Sequence, residues 1–224
     1  MKAATKVLPP SYSLYRHFDE TKYKKVAWVV IVLGGLVFWA SFIFFNYLAG
    51  VMRPDYQMVE RLQFQLSAAR ILTIFRVLLP VAMVLILHEC IHVVLLWLHT
   101  RERPSIIVSI EGIAGISVSM PSWYLSRNAF LKISLAPVYL ITLLIPFLLL
   151  IVPSGFINTL VFCAALNIAG SLSDIMSSIY IYTQPASVYL TTEGQLFRDQ
   201  GSLNIPGWKQ RIQHGIEWLL TKLK

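Results

Sequence analysis

An all-α membrane protein with four transmembrane helices is the fold class this sequence predicts, on the strength of its composition and its apolar windows. Of the 224 residues, 56% are hydrophobic and 13% charged, with a mean hydropathy of +0.64. Such a chain is too apolar and too poor in charge for an ordinary soluble domain. Crossing a bilayer core of about 30 Å takes about 20 helical residues, and four windows are long enough. They run from Val26 to Ala49, Val77 to Leu98, Phe130 to Val152 and Phe156 to Tyr182. A short β-hairpin-like segment after the second window and a C-terminal amphipathic helix complete the expected architecture.

The first window follows the basic cluster Lys22, Lys24 and Lys25 and is apolar or small apart from Ser41 and Asn46. A cleavable signal peptide has a shorter apolar core and a small-residue cleavage site, so this window is read as a permanent anchor. Lys and Arg gather in cytoplasmic loops. With the N-terminus inside, the inner segments hold 15 of the 19 basic residues, which leaves only Arg53, Arg61, Arg70 and Arg76 outside. Four crossings of the cell membrane with both termini cytoplasmic satisfy that bias. The expected division is an N-terminal cytoplasmic segment over 1–25, a polytopic membrane domain over 26–182 and a cytoplasmic tail over 183–224. Between the first two windows Met58, Leu62, Leu66 and Ala69 recur at helical spacing, the pattern of a helix leading into the second span.

The formal charge of +8 is therefore an orientation signal. No motif clusters basic with aromatic residues, so a nucleic-acid partner is not expected; the lipid bilayer is. In the tail, Trp208, Ile212, Ile216, Leu219, Leu220 and Leu223 fall at helical spacing with Lys209, Arg211, Lys222 and Lys224 elsewhere. A helix of that kind lies in the headgroup plane or packs on another protein or on the spans. The two cysteines, Cys90 and Cys163, lie inside predicted spans and read as small buried fillers.

The second span carries the chemistry. In Leu85–His99, LILHECIHVVLLWLH, His88 and His92 are four apart, so on a helix both imidazoles stand on one face, one turn from each other, and reach one ion. Glu89 points to the side, where a carboxylate hydrogen-bonds water without becoming a ligand. This is the His-Glu-x-x-His arrangement of two zinc ligands and a general base. A charged residue at the bilayer centre costs about 2.5 to 3.5 kcal/mol on insertion scales, so three ionisable groups there call for a function.

A hydrolytic zinc site takes a third protein ligand and leaves a position for water. Asp174 is the ionisable residue of the fourth span, where Asn167, Gly170, Ser171, Asp174 and Ser178 fall within one narrow sector of a helix. In the expected topology His88 lies about 15 Å and Asp174 about 12 Å from the inner ends of their spans, at about 1.5 Å per residue, so their levels agree. Ala165, Ala169, Ser173 and Ser177 form a small-residue stripe that lets membrane helices approach closely. The alternative for Asp174 is a neutral acid hydrogen-bonded to the neighbouring serines. Asn167 either binds a substrate carbonyl or oxyanion, or bridges helices. Glu111 is the rival third ligand, in SIIVSIEGIAGISVSM, where Ile116, Val118 and Met120 alternate with Ser117 and Ser119 as in a hairpin. His99 ranks below both because it borders the basic run Arg101 to Arg103. Pro137 and Pro146 read as kinks in the third span.

From about Val77 to Phe197 the chain resembles the putative zincin peptidases, a bacterial family of small integral membrane proteins similar in layout to the site-2 proteases. LHECIHVVL, the hairpin-like stretch, SLAPVYL, NIAGSLSDI and TTEGQLF carry the resemblance, in that order. It implies a zincin-like membrane domain, Zn2+ held by His88, His92 and Asp174, and water activated by Glu89. The sequence departs from the site-2 pattern at two points: no proline follows Asn167 within the motif, and Ile175 stands where that family has glycine. The expected function is hydrolysis of a peptide bond, in a peptide or membrane-protein substrate, within or beside the bilayer. The competing class is a non-enzymatic membrane protein, either a metal-ion carrier or a helical scaffold.

Overall fold

The computed structural model describes residues 2–17, 24–56, 68–109, 115–199 and 207–222. The expected helix around Met58 to Leu66 and the rival ligand Glu111 lie outside the described residues. Four described helical stretches are long and apolar enough to cross a membrane: Ile31–Met52, Leu78–Thr100, Arg127–Ile151 and Ser154–Thr183. They belong to α1 (Lys24–Met52), α2 (Ala68–Thr100), α3 (Arg127–Ile151) and the pair α4 (Ser154–Gly170) and α5 (Leu172–Thr183). The C-terminal helix α6 covers Gly207–Lys222.

The helices wear their apolar residues on both faces. In α3, Ile141, Ile145 and Leu149 are buried while Tyr139, Leu143, Phe147 and Leu150 are more than half exposed. In α1, Leu36, Trp39, Ile43 and Tyr47 form an exposed stripe opposite Phe45 and Ala49. Water-soluble proteins rarely leave such continuous apolar stripes open, whereas lipid makes them costless.

The chain divides into two compact units. The unit made of Val32–His88 and Pro137–Leu172 has a core of Phe45 and Ala49 from α1, Ile145 and Leu149 from α3, and Ile157, Val161 and Ala164 from α4. Ala49 and Ala164 keep the backbones close, as small residues do in membrane helices. The ends of these helices are tied by Arg53, whose guanidinium donates to the carbonyls of Leu149 at 3.0 Å and Val152 at 2.8 Å and forks onto both oxygens of Asp55 at 2.8 Å. Ser154 donates its hydroxyl to Asp55 Oδ2 at 2.6 Å, so one ion pair holds the end of α1, the end of α3 and the start of α4.

The fourth span was expected as one helix, but it breaks at Ser171. There φ is −79° and ψ 5°, outside the α-helical well, and both the backbone N–H and the hydroxyl of Ser171 donate to the carbonyl of Asn167. Glycine at 170 weakens the helix at that point, and the serine hydroxyl offers the backbone an alternative partner. The break starts a new helix two residues before Asp174, which places that carboxylate in the first turn of α5, where the helix dipole favours negative charge.

The other unit, Met1–Ile31, Glu89–Ala136 and Ser173–Lys224, contains all the strands among the described residues. The expected hairpin is present as β3 (Ser105–Ser109) and β4 (Gly115–Ser119), paired antiparallel with Ser105 opposite Ser119. A second, five-stranded sheet goes beyond the all-α expectation. It joins β1 (Ala4–Thr5), β2 (Tyr12–His17), β5 (Tyr124–Ser126), β6 (Tyr189–Leu190) and β7 (Gln195–Asp199) in the order β1-β5-β6-β7-β2, with every pairing antiparallel. Leu125, Val188, Leu190 and Leu196 from the sheet region pack with Leu96 of α2, Ile133 of α3 and Tyr180 and Ile181 of α5. Ser126 caps α3 by accepting the N–H of Ala129 at 3.3 Å. At the far end of α5, Arg127 and Lys209 donate to the carbonyls of Gln184 and Tyr182, cations at a helix C-terminus as its dipole prefers.

The Arg53 guanidinium holds the Asp55 carboxyl well below the usual carboxylate range, with Ser154 adding to the effect. A depressed pKa contributes stability above the unfolded value of about 3.9 and loses it only as pH falls through the folded value. Asp55→Asn and Arg53→Ala are therefore expected to lower the melting temperature in detergent at pH 7. The deficit relative to wild type should persist at pH 5 and shrink only in stronger acid. Thermal scans across pH check this, and a deficit that vanished by pH 5 would contradict the clamp.

Candidate metal centre

His88 and His92 sit one turn apart on α2, which continues unbroken through both, so the helix alone fixes their common face. His88 is 9% exposed, and its Nδ1 stands 3.2 Å from Oδ1 of Asn167 on α4. The Nδ1 of His92 stands 3.1 Å from the carbonyl oxygen of Ile133 on α3. A carbonyl oxygen only accepts, so each Nδ1 carries the proton and donates it. Each Nε2 is left with its lone pair, the tautomer a metal ligand needs.

On the other side, Nε2 of His92 lies 3.7 Å from Oδ2 of Asp174. His88, His92 and Asp174 each offer one ligand atom, and these atoms all lie within 4.8 Å of one another. Among the described residues this is the group of His, Cys, Asp or Glu placed to share an ion. A tetrahedral zinc with bonds of about 2.0 to 2.2 Å spaces its ligand atoms by about 3.4 Å; the 3.7 Å pair is close to that spacing, and atoms as far apart as 4.8 Å would have to draw together by about 1.4 Å. Two imidazoles and one carboxylate also match the donor set of hydrolytic zinc, three protein ligands with room for water.

Asp174, expected as the third ligand, thus lies beside the two imidazoles. The polar sector of the fourth span also faces inward, with Asn167, Ser171 and Ser178 buried and Asp174 partly so, although Gly170 at its edge is exposed. The small-residue stripe is only half realised: Ala165 is fully buried, but beyond the break at Ser171 the stripe turns outward and Ser173 is exposed. Glu89 follows His88 on α2 and is partly buried. His99 turns back on its own helix, its Nδ1 2.7 Å from the Leu95 carbonyl, and is not one of the grouped residues. Cys163 is buried as a filler should be, whereas Cys90 is exposed.

Asn167 has a more definite place than either expectation gave it. Its Oδ1 is engaged by His88, while its Nδ2 is buried with no hydrogen-bond partner among the described residues. The partner of His92 was missed altogether, because it is a backbone carbonyl on an apolar residue whose side chain announces nothing.

A paired-imidazole helix with an adjacent glutamate and a carboxylate from a later helix is an arrangement compatible with a His-Glu-x-x-His metal site. Residues 81–189, close to half of the chain, match the family model described as putative zincin peptidase. The stretch includes His88, Glu89, His92, Ile133, Asn167 and Asp174. No curated protein and no solved structure matches the chain.

Removing a hydrogen bond that orients a ligating histidine typically costs 10- to 100-fold in metal affinity. Asn167→Ala should therefore weaken zinc binding by about that factor while leaving every ligand in place. Competition with a chromophoric chelator reads the change; wild-type affinity in this variant would show that Asn167 does not orient His88.

Proposed function

We propose that the chain is a membrane-embedded zinc metallopeptidase, with zinc held by His88, His92 and Asp174 and with Glu89 as general base. The observation that carries this reading is the convergence of two Nδ1-anchored imidazoles and one first-turn carboxylate on a common point. Zinc bound there would act as a Lewis acid toward the scissile carbonyl and would lower the pKa of water toward about 7.

The residues of the chain supply the rest. Glu89 takes the proton of the attacking water and returns it to the leaving amine nitrogen. The free Nδ2 of Asn167 is a donor for the oxygen on which negative charge develops. Within a helix a peptide carbonyl is already bonded, so the substrate is a locally extended segment. The β3–β4 pair has unpaired outer edges among the described residues and offers such a segment main-chain partners.

Strand pairing supports the proposed topology without any appeal to charge. β1 and β2 precede α1, β5 lies between α2 and α3, and β6 and β7 follow α5, yet all five share one sheet. Segments in one sheet lie on one side of any bilayer the helices cross. An even number of crossings must then separate them, as four spans provide. The distribution of Lys and Arg favours the cytoplasm as that side.

Purified protein is expected to hold about one zinc per chain. Glu89→Gln should keep the metal and lower turnover by about 10²- to 10⁴-fold, the usual share of a general base. His92→Ala and Asp174→Ala should lose the metal. Metal analysis, together with comparison of membrane proteomes from cells making wild type or Glu89→Gln, checks these roles. Zinc lost in Glu89→Gln but kept in Asp174→Ala would refute the assignment, and zinc uptake into vesicles by the wild type would favour a carrier.

A further inference from the structure

The carbonyl that receives His92 is one that the sequence itself has set free. In an α-helix the carbonyl of residue 133 accepts the N–H of residue 137. Residue 137 is a proline inside α3, so that N–H does not exist. The proline ring also clashes with the carbonyl four residues earlier and tilts it off the helix axis. Pro137 is itself almost completely buried and Ile133 is 5% exposed, so water is a poor substitute partner. The Nδ1–H of His92, 3.1 Å away, fills the vacancy.

We infer that Pro137 is a positioning residue for the metal centre: it withholds one backbone donor so that the Ile133 carbonyl is available to fix the ring orientation and the Nδ1–H tautomer of His92. The inference rests on His92 being a metal ligand. The dependence runs both ways, because without His92 the same carbonyl is a buried acceptor with no partner on its own helix. Pro146, in the same helix, frees the carbonyl of Thr142 by the same rule but has no ligand opposite it among the contacts described, which makes it an internal control.

The test is zinc affinity of the full-length protein in detergent, measured by chelator competition, set beside the melting temperature of the metal-free protein. Pro137→Ala restores an N–H that competes for the Ile133 carbonyl, and it replaces a helix breaker with the best helix former. Zinc should therefore bind about tenfold more weakly while the melting temperature stays level or rises. Pro146→Ala should leave zinc affinity unchanged. As a rescue, the α-hydroxy acid analogue of alanine at position 137 has no N–H and should bind zinc like the wild type.

Wild-type zinc affinity in Pro137→Ala overturns the inference, as does equal loss of affinity in Pro137→Ala and Pro146→Ala. Should Pro137→Ala fail to fold, the α-hydroxy analogue decides alone, and weakened zinc binding there overturns the inference. A folded wild type that binds no zinc overturns the metal-centre reading instead, and the two failures are told apart by that measurement.

Discussion

Each imidazole of the centre has two nitrogens, and in both rings one of them is already committed to a carbonyl oxygen. That commitment is the constraint on which the rest of the site depends. In an apolar bundle a histidine with a loose ring would sample two tautomers and many orientations, and a buried polar group without a partner is costly. Anchoring Nδ1 leaves a single lone pair facing the site. The anchors come from different sources, a side-chain amide on α4 for His88 and a main-chain oxygen on α3 for His92. Helices α3 and α4 thus decide where the imidazoles of α2 point.

The carboxylate is placed by a different device. Asp174 owes its position to the interruption at Ser171, which converts the middle of a long apolar run into the beginning of a helix. A residue in a first turn lies close to backbone N–H groups that have no partner within the helix, and this eases the burden of a negative charge in poor solvent.

Much of the site was legible because polar residues in apolar helices are rare enough to be informative. His88, Glu89, His92, Asn167 and Asp174 stand out against lipid-compatible neighbours, and helical periodicity puts the histidines on one face. The four apolar stretches and the β3–β4 hairpin were legible for similar reasons, one by length and the other by alternation. The five-stranded sheet was not, since β1 and β6 have two residues each and β5 has three, and its strands come from segments separated by whole helices. No local period survives in so few residues. The interruption of the fourth span was hidden for another reason: serine and glycine are ordinary in membrane helices, so Gly170-Ser171 reads as small-residue packing until the backbone torsions are seen.

The pairing of β2 with β7 sets a schedule for biosynthesis. Tyr12 to His17 are made before their partners Gln195 to Asp199, which follow only after α1 to α5 have been synthesised. At about 5 to 20 residues per second the first strand waits on the order of ten seconds or more for its mate. During that interval an unpaired edge sits beside a nascent bundle of apolar helices, a template open to the wrong neighbour. The kinked register between Leu14 and Arg16, with charge at the bend, is the kind of irregularity that discourages a stranger from docking before the proper strand arrives.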